Sequence, residues 1–187
     1  MRISPTLIVG ETGSGKTQLL ERFREYAEIH NIPHTYREET QFPELPTFEE
    51  LIRQKPREQP YLLLIDEFET LFRKNPEIWE DTIKPAVLEG RKFGIMPVIA
   101  IQKTSHLPTE IIDVLFNNST LIILPPARLQ DSPLSEQVIS LTEKLEPWEA
   151  MIIHGSGVIT KTKNRDIIPQ LIMETQAIKM KWPRFRQ

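Results

Sequence analysis

The sequence predicts an α/β fold with a central, mainly parallel β-sheet flanked by helices. Short aliphatic runs alternate with amphipathic stretches along the chain, the pattern of strands joined by crossover helices. One run, Tyr61–Ile65, is apolar throughout, as expected of a strand covered on both faces. The length of 187 residues suits one domain, 1–187, since chains run about 100–200 residues per domain.

Thr6–Val9 reads as the first strand. Lys16–His30 follows as a helix, with Leu19, Leu20, Phe23, Tyr26 and Ala27 forming one apolar stripe. His34–Arg37 is a short second strand. The stretch from Gln41 to Pro60 holds four prolines and reads as a loop around one short helix. Thr47 can cap that helix and Glu50 can complete a capping box ahead of Leu51 and Ile52.

After the strand Tyr61–Ile65, Asn75-Pro76 makes a good helix start. Trp79, Ile83, Ala86, Val87 and Gly90 keep helical spacing. Pro85 is expected to kink that helix and Gly94 to stop it. Pro97–Ile101 is a fourth strand, Pro108–Phe116 a helix, and Thr120–Leu124 a fifth strand ended by Pro125-Pro126. Leu134–Leu145 looks helical. Ala150–His154 and Gly157–Lys161 pair as a hairpin around Gly155-Ser156. Residues 166–187 form an extension, helical in part and ending in a basic, aromatic tail from Lys179 to Arg186.

Zero cysteines exclude disulfides, Cys-ligated clusters and thiol catalysis. The net charge of −3, from 26 acids and 23 bases, excludes a uniformly basic surface but not a local basic lining. No apolar run approaches the roughly 20 residues of a membrane span, so a cytoplasmic protein without a membrane segment is expected. The four histidines show no metal-ligand spacing. His154-Gly155-Ser156-Gly157 is not a nucleophile elbow. Trp79 and Trp148 are expected to pack.

Gly10-Glu11-Thr12-Gly13-Ser14-Gly15-Lys16-Thr17 fits the P-loop pattern G-x-x-x-x-G-K-[ST] without mismatch, after a strand and at a helix start as the pattern demands. Glycines let backbone N–H groups curl around phosphates and the helix N-terminus favours negative charge there. Lys16 can reach the β/γ oxygens of ATP, and the Thr17 hydroxyl can ligate Mg²⁺. The strand Tyr61–Ile65 ends in Asp66-Glu67. Asp66 is placed to hold the Mg²⁺ and Glu67 to polarise an attacking water; two acids that only solvate a strand end are the competing reading. At the end of the fourth strand, Gln102 is placed near the γ-phosphate, because ligands of parallel sheets lie at the carboxyl ends of strands. A Gln that only satisfies backbone groups is the alternative there. Arg91 and Lys92 close a helix, where cations favour the dipole.

Taken together, Gly10–Thr17, the run from Leu62 to Glu69, the Glu89–Ile95 segment and Val98–Gln102 resemble the HerA–FtsK superfamily of RecA-like motor ATPases. The likeness covers about residues 5–125 and extends weakly through Trp148–His154. The Gly90-Arg91-Lys92-Phe93-Gly94 segment, followed by a strand ending in Gln, is its specific part. The resemblance implies a homohexameric ring with ATP between subunits and DNA, duplex or single strand, in the channel. It also implies that Arg91 enters a neighbour's site as a trans finger and that Gln102 is the sensor glutamine.

Because the P-loop begins at residue 10 and no winged helix is evident, the expectation is a bare motor core, closest to genome-packaging ATPases of viruses or plasmids. Arg73, Lys74, Lys103, Lys161, Lys163 and Arg165 are candidate phosphate contacts, although each is an ordinary surface charge in the plainer reading. The tail could dock on a neighbouring subunit, a capsid, portal or secretion protein, or nucleic acid. Two other classes stay open. One is a secretion or assembly ATPase acting on a protein. The other is a nucleotide kinase, disfavoured because no arginine-rich lid is present. A GTPase lacks its N-K-x-D motif.

Overall fold

The computed structural model describes residues 4–37, 45–55, 59–129, 132–154, 157 and 159–171. The basic and aromatic tail lies outside them. Seven strands form one sheet: β1 (Thr6–Val9), β2 (His34–Arg37), β3 (Tyr61–Ile65), β4 (Ile95–Ile101), β5 (Thr120–Ile123), β6 (Glu149–Ile153) and β7 (Ile159–Lys163). Their spatial order is β2-β3-β4-β1-β5-β6-β7. The first five in that order are parallel, and β6 and β7 add antiparallel.

The continuous apolar runs are explained by a sheet buried on both sides. Leu7, Val9, Leu63 and Ile65 point into one core, while Ile8, Leu62 and Leu64 point into the other. This is the two-residue alternation of a strand applied to two apolar faces. Helix α1 (Lys16–Ile29) covers one face with Leu19, Leu20, Phe23 and Ala27. On the other face lie α2 (Phe48–Gln54), α3 (Phe68–Lys74), α4 (Lys84–Phe93) and α5 (Thr109–Asn118), through Leu51, Phe68, Val87 and Leu115 among others. A sixth helix, α6 (Glu136–Thr142), packs there more loosely through the half-buried Val138 and Ile139.

The expected capping box is present. Thr47 Oγ1 accepts from the Glu50 amide, and the Glu50 carboxylate accepts from the Thr47 amide at 2.8 Å. Before Pro85 the helix takes a wider turn. A π-helical turn, Trp79–Ile83, precedes α4, with the Lys84 amide donating to Trp79 O. Pro85, which has no N–H, then falls at the start of α4, where no donor is required. The turn widens and the helical phase shifts, so Trp79, Ile83, Ala86, Val87 and Gly90 all remain buried. Gly94 ends α4 in the left-handed region, at φ 71°.

Several boundaries differ from expectation: the hairpin pairs Glu149–Ile153 with Ile159–Lys163, and α3 was not read from the sequence. β4 starts at Ile95, two residues early, because its first residues pair with Tyr61 and Leu62. Helices α5 and α6 cover Thr109–Asn118 and Glu136–Thr142 instead of the ranges read from the sequence. Trp148 is 60% exposed, at the turn before β6, and does not pack as expected; Trp79 does. Among the described residues no helix is long and apolar enough to cross a membrane.

Candidate active site

Strand order builds the site. β4 lies between β1 and β3, and all three run parallel. Their carboxyl ends therefore release the P-loop, Gln102 and Asp66-Glu67 side by side, at a spacing of about 4.8 Å per strand. The sequence places each group at a strand end, and the sheet brings all three together.

Within the P-loop, Gly15 is the N-cap of α1 at φ 91°, a conformation that side chains avoid. Gly10 sits so close to the β5 exit that a Cβ would meet Leu124 O at 2.7 Å. Lys16 is 6% exposed, and its Nζ donates to Glu11 O at 2.9 Å. Burial pulls the Lys16 ammonium below its usual pKa; Asp66, Glu69, Glu67 and Glu11 oppose that shift. The Thr17 hydroxyl donates to Asp66 Oδ2 at 2.6 Å, and the other Asp66 oxygen accepts from the Glu67 amide at 2.9 Å.

Glu67 stands at φ 48°, ψ 49° as the N-cap of α3, a backbone state a non-glycine residue rarely adopts. Its Oε1 accepts from Gln102 Nε2 at 2.5 Å, while Gln102 Oε1 accepts from Thr12 Oγ1 at 3.2 Å. Gln102 thus bridges the acid pair and the P-loop. Between these walls lies a cleft of about 270 Å³ lined by Thr12, Lys16, Thr17, Asp66, Glu67 and Gln102 among others. A second cleft of about 150 Å³ adjoins it across Gly13, Gly15 and Gln18, between α1 and the segment holding Pro147 and Asn164.

The donor set fits Mg²⁺. A hydroxyl and a carboxylate oxygen already converge, and this ion takes one or two protein oxygens with phosphates and waters completing its shell. Accordingly a site of this kind needs no larger cluster, and none of three or more His, Asp or Glu occurs among the described residues.

Arg91 is not part of this assembly. It is exposed near the end of α4, just before β4 begins, so it lies toward the amino ends of the parallel strands, away from the P-loop. The seven residues of β4 separate it from Gln102 by about 20 Å. Arg73 and Lys74 are exposed at the end of α3. Lys103 is near the site and forms an isolated bridge with Arg128. Lys161 pairs with Glu149 at 2.7 Å on β7; Arg165 pairs with Asp166 at 3.6 Å.

Two residues that the sequence reading passed over also belong here. Glu69 is 2% exposed and its Oε1 accepts from the Gln102 amide at 2.6 Å. The available signal was its place one residue after Phe68 and two before Leu71, in the helix that follows the acid pair. Arg128 Nε pairs with Glu11 Oε1 at 2.5 Å, for which no local pattern exists.

No family model and no curated protein matches this sequence. Solved structures do. The genome packaging NTPase B204 from Sulfolobus turreted icosahedral virus 2, in complex with AMPPCP, matches with a TM-score of 0.65 at 15% identity. That match covers 87% of this chain and 98% of that one. The same protein in complex with ATP-gammaS matches with a TM-score of 0.60 at 14% identity, over 86% and 97% of the two chains. The DNA-packaging ATPase B204 from Sulfolobus Turreted Icosahedral Virus gives 0.55 at 14% identity, over 87% and 98%. This chain has the B204 fold. At these identities the likeness is one of fold, and it agrees with the HerA–FtsK resemblance of the motifs. A mainly parallel sheet flanked by helices is also what the alternating sequence pattern implies.

Proposed function

We propose that this chain is a Mg²⁺-dependent ATPase of the HerA–FtsK type that works in a homohexameric ring and moves DNA, as a minimal packaging motor. The observation that carries the reading is the contact between Thr17 and Asp66 at 2.6 Å, flanked by the Glu67–Gln102 pair. Phosphate-binding and hydrolytic groups converge there on one cleft. Proteins of the same fold have been solved with AMPPCP and ATP-gammaS and are described as genome- or DNA-packaging enzymes.

In this reading the P-loop amides and Lys16 hold the β- and γ-phosphates, and the nucleoside extends toward the adjoining cleft beside Gln18. Thr17 and Asp66 hold Mg²⁺, which neutralises charge on the phosphate oxygens. Glu67 accepts a proton from the water that attacks the γ-phosphorus as the bond to the bridging oxygen of ADP breaks. Gln102, hydrogen-bonded to Glu67 before nucleotide arrives, holds that carboxylate in place and registers whether the γ-phosphate is present. Arg91, too far from its own cleft, serves a neighbouring subunit of a head-to-tail ring. Exposed cations such as Arg73, Lys74, Lys163 and Arg165 supply sequence-blind phosphate contacts, which a ring multiplies.

The test is ATP hydrolysis measured with and without duplex and single-stranded DNA across a salt series, beside a mass measurement with nucleotide bound. Turnover should rise with DNA and lose that stimulation as salt increases, and the mass should be that of a ring. Hydrolysis indifferent to either form of DNA removes the nucleic-acid part and points to a protein partner. Absence of hydrolysis removes the ATPase.

A further inference from the structure

Glu69 has no role in the chemistry set out above, yet it is among the most buried charged residues described. Its surroundings explain the burial. β4 and its pairing with β1 end at Ile101, so the Gln102 amide lies beyond the ladder. A buried amide must find an acceptor, and the Glu69 carboxylate supplies it. Oε1 takes the Gln102 N–H at 2.6 Å, and the Lys103 amide also favours the ionised form. The other oxygen, Oε2, is buried with no hydrogen-bond partner. That is an expensive arrangement if the residue only fills space.

The neighbouring contacts give it a purpose. Glu67, two residues earlier, holds the Gln102 side chain through Nε2. The first turn of α3 thus grips Gln102 twice, by its side chain through Glu67 and by its backbone through Glu69. Free rotation of the strand exit would swing the carboxamide away from both Glu67 and Thr12, since a small backbone change is amplified at the end of a long side chain.

We propose that Glu69 is a positioning residue: by clamping the Gln102 backbone amide it fixes the Gln102 carboxamide against Glu67, so that acid and sensor respond as one unit. This rests on the hydrolytic reading of Glu67 and Gln102 given above. Glu69 touches neither nucleotide nor water in this scheme; its hydrogen bond to the Gln102 amide carries the positioning effect, while its charge also supports the Lys16 ammonium.

The experiment is a double-mutant cycle of Glu69→Ala and Gln102→Ala in the full chain, reading kcat, KM for ATP and amide hydrogen exchange at 102 and 103 without nucleotide. Glu69→Ala should lower kcat by about tenfold, the scale of a lost charged hydrogen bond. KM should stay within about twofold, because no group that holds the phosphates is removed. Exchange at both amides should accelerate at least about tenfold. In the Gln102→Ala background the same substitution should lower kcat by less than about twofold. Glu69→Gln keeps an acceptor oxygen and should recover most of the lost kcat and protection.

Equal loss of kcat in both backgrounds, or a KM that moves with kcat, overturns the proposal. So does unchanged exchange at Gln102. If the wild-type protein hydrolyses no ATP, the hydrolytic reading itself fails, a result plainly different from an active wild type beside an equally active Glu69→Ala variant.

Discussion

The hydroxyl of Thr17 donates to Asp66 Oδ2 at 2.6 Å, tying the first turn of α1 to the tip of β3 across 49 residues of sequence. The same two oxygens are the metal donors of the proposed site. The contact therefore holds the cradle in shape before a metal arrives, and an arriving ion has to take over the carboxylate oxygen.

Metal removal follows directly. Chelation with EDTA should stop turnover, and Mg²⁺ should restore it. Asp66→Asn and Thr17→Ala should each raise the Mg²⁺ concentration needed for half-maximal rate by roughly 10–100-fold, as expected for losing a charged contact of about 1.5–3 kcal/mol. Magnesium titrations of ATPase rate check this. A dependence identical to wild type in both variants would remove these residues from the metal site.

Binding and chemistry separate at Lys16 and Glu67. In the proposed site Lys16 faces the phosphates at every stage of reaction, so Lys16→Ala should weaken nucleotide binding and abolish measurable turnover. Glu67 matters when water attacks, so Glu67→Gln should leave nucleotide affinity near wild type and lower kcat by about 10²–10⁴. Equilibrium nucleotide binding and steady-state hydrolysis, measured on both variants, check the split.

How much of this could be read from the chain alone depends on whether a feature is local. The P-loop, the Thr47–Glu50 capping box and the acid pair after an apolar strand are runs of adjacent residues, and each forms as its local chemistry dictates. The placement of β4 between β1 and β3 is not local. It is set by which strands bury which faces, and it alone brings Gln102 against Glu67. The π turn before Pro85 was hidden for a similar reason. A proline signals a missing donor, but that the helix widens ahead of it depends on the core that holds Trp79 and Ile83. Glu69 carried no local signal of its partner, since the amide it serves belongs to a strand exit 33 residues away.

Burial lifts the Glu69 carboxyl above its ordinary value near 4.5, against the opposing pull of the Gln102 amide and others. A raised folded-state pKa means the native protein holds this proton more tightly than the unfolded chain does. The associated stability is complete below the unfolded value and is lost as pH rises through the folded one. Glu69→Gln cannot ionise and lacks that loss. The melting temperature of Glu69→Gln relative to wild type should therefore climb between acid and neutral pH. Thermal melts across that range check the slope, and a difference independent of pH would place the carboxyl at its ordinary value.

Arg91 carries the last prediction, because its position decides whether a site is complete in one chain. It is exposed in the last turn of α4, at the amino end of β4, while Gln102 follows the carboxyl end of that strand roughly 20 Å away, so it does not reach the cleft of its own chain. Arg91→Ala should lower ring ATPase activity by about 10³-fold or more, as loss of a trans arginine does in other nucleotidases, with nucleotide binding retained. Mixing distinguishes a trans finger from a structural arginine. An Arg91→Ala subunit still offers Glu67, and a Glu67→Gln subunit still offers Arg91. Random co-assembly in equal amounts reunites the two at about one interface in four. Hydrolysis by the mixture should then far exceed the sum of the separate variants and peak near equal proportions. A mixture no more active than that sum, at every ratio and under conditions where wild-type rings form, shows that Arg91 does not complete a neighbour's site.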